Sequence, residues 1–125
     1  MRVLVIDDNK DITEVLRVYC DSREIECITV NDGREGLETI LDAQFDLILL
    51  DLAMPEFSGI DVVAALKEDG ILDTKNVVIF TASSDPKIID DMRKSGVKEI
   101  LKKPLSIDEL TSFIDRYNPA TWRSY

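Results

Sequence analysis

Asp7 and Asp8 directly follow the apolar run Val3-Leu4-Val5-Ile6, and Asp51 directly follows Leu47-Ile48-Leu49-Leu50. Thr81 follows Val77-Val78-Ile79-Phe80, while Lys102, Lys103 and Pro104 follow Ile100-Leu101. If these runs lie side by side as strands, three carboxylates, a hydroxyl and an ammonium group meet along one edge. Clustered carboxylates repel one another, and one or more of their pKa values rises unless a cation intervenes. A divalent ion is the simplest remedy. The chain has no histidine, and Cys20 and Cys27 fit no metal spacing, so the donors are all oxygens. Such a set selects a hard ion, Mg2+ or Mn2+. A lysine beside it suggests an anion that arrives with the metal, most often a phosphoryl group. A carboxylate is itself a competent nucleophile for phosphoryl transfer and forms an acyl phosphate. Taken singly, an aspartate after a strand is an ordinary helix cap, as Asp8 could be, and a threonine there is an ordinary turn residue. The functional reading rests on the set.

The elements that must position these residues are legible in the apolar pattern. The three longest runs read as strands buried on both faces. Cys27-Ile28-Thr29-Val30 and Ile100-Leu101 are shorter candidates. Between them lie helical patterns. Ile12, Val15, Leu16 and Tyr19 recur at i, i+3, i+4 and i+7; Leu37, Ile40 and Leu41 do so in part; Leu110, Phe113, Ile114 and Tyr117 do so in full. A further, weaker helix is expected around Ile88, Ile89 and Met92. Capping boxes are expected at Asp32 with Glu35, Ser58 with Asp61 and Ser106 with Glu109, and Asp85-Pro86 places a cap before proline at the first helical position.

Strand and helix thus alternate about five times, which calls for a parallel sheet with helices on both faces. A β/α barrel needs about twice this chain, so the expected fold is a five-stranded doubly wound α/β sheet. In open sheets of this kind ligands bind beyond the C-terminal ends of the strands, where all the singled-out residues fall.

Composition narrows the function classes. With 125 residues the chain is one ordinary domain, and 45% hydrophobic residues exclude intrinsic disorder. A formal charge of −10 repels a phosphate backbone, so nucleic-acid binding by this domain is not expected. No apolar run approaches the ~18 residues of a membrane span, and the N-terminus turns acidic too soon for a signal peptide. A cytoplasmic location with reduced thiols is the expectation. The absence of histidine excludes histidine-based triads, histidine metal sites and an internal phosphohistidine.

With these residues in hand, the chain resembles a receiver domain of the response-regulator family of two-component signalling. The resemblance runs from Arg2 to about Tyr117. It rests on Asp7-Asp8, on Asp51-Leu52-Ala53-Met54-Pro55 with Gly59, on Thr81-Ala82 and on Lys103-Pro104, an ordered set of high specificity. It implies a flavodoxin-like (βα)5 sheet with strand order 2-1-3-4-5, a receiver over residues 1–117 and a C-terminal tail over 118–125 that carries Trp122. It further implies that Asp51 is the phosphoacceptor. Asp8, Asp51 and the backbone carbonyl of Ala53 would hold Mg2+ directly, with Asp7 acting through water. Lys103 would hold a phosphoryl oxygen, Thr81 would move toward the phosphoryl group as the switch, and the Lys103–Pro104 bond would be cis. The donor phosphohistidine would lie on a histidine kinase or phosphotransfer protein. Such a domain would catalyse its own phosphorylation and slow hydrolysis with no separate substrate, and would signal to a downstream protein.

Two positions depart from the family pattern. Receivers commonly carry an aromatic residue three positions before the lysine, where this chain has Ile100, and Leu105 replaces a frequent phenylalanine. Ile100 reads as an ordinary strand residue, so the usual aromatic rotor is absent. A haloacid-dehalogenase-like phosphatase would need an aspartate where Asn9 stands, and a flavodoxin would need a phosphate loop where Asp7 and Asp8 stand. The alternative of another class is a receiver-like interaction module that is never phosphorylated; metal binding with acyl-phosphate formation separates the two. Finally, residues 87–103 carry six basic and three acidic side chains, a local +3, whereas residues 1–86 sum to −12. That segment is either a solvated face or a docking face for an acidic partner.

Overall fold

The computed structural model describes residues 1–120. Trp122 and the rest of the proposed tail beyond residue 120 lie outside the described residues. The elements alternate as expected: β1 (Arg2–Ile6), α1 (Lys10–Ser22), β2 (Glu26–Val30), α2 (Gly33–Asp42), β3 (Leu47–Leu50), α3 (Gly59–Glu68), a short 3-10 turn (Leu72–Thr74), β4 (Val77–Thr81), α4 (Pro86–Ser95), β5 (Glu99–Lys102) and α5 (Ile107–Tyr117). All pairings are parallel and the strand order is 2-1-3-4-5. The Lys103–Pro104 peptide bond is cis.

The continuous apolar runs are explained by the two packed faces. Side chains alternate across a strand, so Leu4, Ile6, Ile48 and Leu50 enter one core, with Val62, Val63 and Leu66 of α3 and Met92 of α4. Val3, Val5, Leu47 and Leu49 enter the other, with Leu16 of α1 and Leu110, Phe113 and Ile114 of α5. The edge strands β2 and β5 are only half covered, and theirs are the weaker apolar patterns.

Local signals fixed the helix starts. Ser58 and Asp61 form a reciprocal capping box, while Asp32 and Ser106 cap through their side chains to the backbone N–H of Glu35 and Glu109. Asp85 caps α4 with Pro86 at its start. Three details differ from the pattern. The cap of α1 is Asn9 and not Asp8, because the Asn9 side chain accepts from the N–H of Asp11 and Ile12. The buried stripe of α1 is Thr13, Leu16 and Cys20, while Val15 is 63% exposed. Leu41 of α2 is likewise 49% exposed. Spacing of i, i+3, i+4 and i+7 spans more of a helix than the narrow strip that touches a sheet, so the outermost members of each stripe face solvent.

Candidate functional site

Three backbone bonds carry the strand ladders one residue beyond the strands and thereby set the site. The Asp7 N–H donates to the Val30 carbonyl at 3.0 Å, the Asp51 N–H to the Ile6 carbonyl at 2.9 Å, and the Lys103 N–H to the Thr81 carbonyl at 2.9 Å. Asp7 is thus pinned at the end of β2, Asp51 at the end of β1 and Lys103 at the end of β4. The five residues singled out from the sequence meet at this rim.

Asp7 and Asp51 are buried, at 2% and 6% exposure, and Thr81 at 1%, whereas Asp8 faces solvent. Asp7, Asp8 and Asp51 each offer one carboxylate oxygen, and the three oxygens lie within 4.8 Å of one another. Lys103 reaches in from the loop after β5. Its ammonium group lies 2.5 Å from Asp7 Oδ2 and 3.6 Å from Asp51 Oδ2, and 5.3 Å from the centre of the Phe80 ring. One lysine thus faces two buried carboxylates, with a third beside them. Burial first, and the neighbouring Asp7 second, push the Asp51 carboxyl above its usual range; Lys103, the Ala53 N–H and the Thr81 hydroxyl pull the other way. The donor set fits a small hard cation: it is all oxygen, carries more negative charge than Lys103 offsets, and has an exposed member at its mouth.

The loop between β3 and α3 is drawn tightly around Asp51. The Ala53 N–H approaches Asp51 Oδ1 at 3.4 Å. Gly59 donates to the Leu52 carbonyl, and a Cβ on Gly59 would come within 2.1 Å of the Asp51 carbonyl oxygen. Only glycine permits that approach, which accounts for its place in the motif. Ala53 itself is exposed at the rim. Thr81 ends β4, and its hydroxyl accepts from the Ser83 N–H at 3.2 Å. Ile100 lies in β5, paired in register with Ile79, and is half-buried. It is set back from the carboxylates and packs with the core on the α4 side.

Two residues that hold Asp7 escape the sequence reading. Asn31, directly after β2, donates from Nδ2 to the Asp7 carbonyl at 2.8 Å and to Thr13 Oγ1 at 3.1 Å. Asn9 donates its N–H to Asp7 Oδ1 at 2.9 Å. Both orient Asp7. The signal for Asn31 was its position after the second apolar run, the counterpart of the other four.

A parallel sheet of this order with an aspartate-rich rim and one lysine at its strand ends defines a receiver-type signalling domain. The comparisons agree. The family model for the response regulator receiver domain matches residues 3–115, and the chain belongs to that family. It is 33% identical over 114 residues, 91% of its length and 50% of the relative's, to the transcriptional regulatory protein DltR of Streptococcus agalactiae. It is 30% identical over 111 residues, 89% of its length and 47% of the relative's, to the DNA-binding response regulator MtrA of Mycobacterium tuberculosis. The chain thus spans about half the length of the curated relatives it matches. Among solved structures it is similar to the receiver domain of the Francisella response regulator 1452, at 32% identity and TM-score 0.81, covering 99% of this chain and 98% of that one. It is also similar to the response regulator TrrA of Thermotoga maritima in complex with Mg2+ and BeF, at 26% identity and TM-score 0.79, covering 94% and 98%. Among the described residues no helix is long and apolar enough to cross a membrane.

Proposed function

We propose that this receiver domain accepts a phosphoryl group on Asp51 from the phosphohistidine of a histidine kinase or phosphotransfer protein, and that Mg2+ is its cofactor. The observation that carries the reading is the rim itself: three carboxylate oxygens within 4.8 Å of one another, with Lys103 reaching the two buried ones. The solved TrrA relative supports it, because that receiver-like protein was captured with Mg2+ and BeF.

In the reading, a carboxylate oxygen of Asp51 attacks phosphorus, the P–N bond to the donor imidazole breaks, and its electron pair returns to the imidazole nitrogen. An acyl phosphate forms on Asp51. Asp8, Asp51 and the Ala53 carbonyl would hold the metal, with Asp7 behind them, and the bound ion would offset charge on the phosphoryl oxygens. Lys103, now bonded to Asp7, is near enough to Asp51 to take up a phosphoryl oxygen. The Thr81 hydroxyl lies at the same rim and turns toward the new group, drawing the loop after β4 with it. Ile100 leaves that loop and α4 as the moving parts. The domain catalyses only its own phosphorylation and slow hydrolysis. A cytoplasmic location, a receiver over 1–117 and an output through a protein partner, with no nucleic acid bound by this acidic domain, belong to the same reading.

Incubation with acetyl phosphate and Mg2+ tests it. The intact protein should gain the mass of one phosphoryl group, and Asp51→Asn should gain none. Equal labelling of the two would overturn the assignment, and no labelling of either would favour an unphosphorylated interaction module.

A further inference from the structure

The inner stripe of α1 ends on Cys20, which is 1% exposed. The chain then reverses within a few residues. The Cys20 carbonyl accepts from the N–H of Arg23 at 3.0 Å and from that of Ile25 at 2.9 Å. Glu24 completes the reversal with a φ of 57°, in the left-handed region. β2 begins at Glu26 and runs beside β1, with Cys27 opposite Val3. Val3 enters the core under α1 and α5, and Cys27 packs against that same core, whereas Ile28 packs against the other one. The corner between α1 and β2 thus sets the last inward residue of the helix over the first strand residue that faces it. Both are cysteines, both are unbridged, and the chain has no others.

We infer that Cys20 and Cys27 are a reversible redox pair, whose disulfide, formed by a peroxide, staples the base of α1 to β2. The thiols are close enough to share a hydrogen bond, which eases loss of the first proton from the pair and opposes loss of the second. The thiolate is the reactive form. Cys27 is the half-buried member and Cys20 the buried one, so Cys27 is the sulfur that a peroxide reaches. As thiolate it attacks one peroxide oxygen. The O–O bond breaks, and the departing hydroxide takes up the proton that the thiol released and leaves as water. Cys27 is then a sulfenic acid. Cys20 Sγ attacks the sulfenic sulfur, the S–S bond forms and the S–O bond breaks. Hydroxide leaves with the Cys20 proton as a second water. Two thiols have lost two electrons, and one peroxide has been reduced to two waters. A dithiol reverses the bond by exchange.

The place of the pair gives the bond its consequence. Cys27 lies beside Val3 near the start of the strands, at the end of the sheet opposite the acidic rim. The two elements it would join both end on Asp7. Asn9, which caps α1, donates its N–H to Asp7 Oδ1, and Asn31, directly after β2, donates to the Asp7 carbonyl. The α1–β2 unit is therefore tied at the rim by hydrogen bonds, and the disulfide would tie its other end covalently. Nothing in this inference depends on phosphorylation of Asp51.

The test treats the full chain with limiting hydrogen peroxide and follows it by intact mass, tryptic mapping without reductant, and thermal melts. The intact protein should lose the mass of two hydrogens and remain a monomer. Trypsin cuts after Arg17, Arg23 and Arg34, so residues 18–23 and 24–34 should appear as one disulfide-linked pair of peptides. The oxidised protein should melt about 5 °C or more above the reduced one, since the bond restricts the unfolded chain, and a dithiol should return it to the starting value. Cys27→Ser, a change at the more accessible thiol, should fold, yield no linked peptides and show no such rise with peroxide. Oxidation of the thiols to sulfinic or sulfonic acids without linked peptides would overturn the pair, as would links found only between two chains. An oxidised monomer that melts at or below the reduced one would overturn the staple.

Discussion

Lys103 bonds Asp7 at 2.5 Å across 96 residues of sequence, and both side chains are largely out of water, at 14% and 2% exposure. The bond ties the loop after β5 to the end of β1. It also places the only cation of the rim, among the described residues, between two buried carboxylates. Lys103→Met removes that cation and leaves Asp7 and Asp51 facing each other. The variant should lose about 1.5–3 kcal/mol of stability in metal-free buffer, the worth of a charge-assisted hydrogen bond. Asp7→Asn in the same chain should restore part of it, because the two changes share one interaction. Urea titrations of the two single variants and the double variant check this; strictly additive losses would contradict it.

Asp51 titrates above its usual range because it is buried next to Asp7. A raised folded-state value means that the folded protein holds this proton more tightly than the unfolded chain. The contribution to stability is complete below the unfolded value of about 3.9 and is lost as pH rises through the raised folded value. At neutral pH the ionised Asp51 therefore destabilises the fold. Asp51→Asn should melt higher than the parent at pH 7 without divalent ions, and the gap should close on acidification toward pH 4. Adding Mg2+ should close it from the other side by stabilising the parent alone. Thermal melts across pH, with and without Mg2+, decide the matter.

Asp8 is the exposed member of the acidic trio. Asp8→Asn should change stability by less than about 0.5 kcal/mol, as surface changes do, yet weaken Mg2+ binding by about tenfold or more, since a hard ion loses a charged ligand. Calorimetric titration with Mg2+ reads the affinity directly. Unchanged Mg2+ affinity in this variant would remove Asp8 from the ligand set.

Gly33 opens α2, and a Cβ placed on it would lie 2.0 Å from the Phe57 carbonyl oxygen. Phe57 belongs to the β3–α3 loop that carries Ala53, and its ring also sits 4.7 Å from the Arg34 guanidinium. Gly33→Ala should push this loop outward, costing about 1–3 kcal/mol as overpacked sites do, and should lower Mg2+ affinity through the displaced Ala53. A helical position further along α2, Glu38→Ala, serves as control, because Glu38 is exposed. If Gly33→Ala lost stability with Mg2+ affinity intact, the loop would not depend on this contact.

The sheet was legible because β1, β3 and β4 are apolar without alternation, a pattern that only two covered faces require. The rim was legible for a related reason: a strand buried end to end must place its first polar residue at its exit, which is where Asp7 and Asp51 stand. Asn31 escaped because β2 is an edge strand whose mixed pattern blurs its end. Val15 and Leu41 misled because spacing gives a helix face but not its depth. The pairing of Lys103 with Asp7 rather than Asp51 depends on side-chain reach across the rim, which no local pattern encodes. Nor does any local pattern reveal that Gly33, at the start of α2, lies against Phe57 of the β3–α3 loop.

The most direct test of the central claim is chemical mapping of the phosphoryl group. After phosphorylation with Mg2+ present, borohydride reduction converts an aspartyl phosphate into homoserine, and peptide mass spectrometry locates the changed residue. The account predicts homoserine at position 51 alone, dependent on Mg2+ and strongly diminished in Lys103→Met. Homoserine at position 7 or 8, or an unaltered Asp51 in protein that carries phosphate, would contradict it.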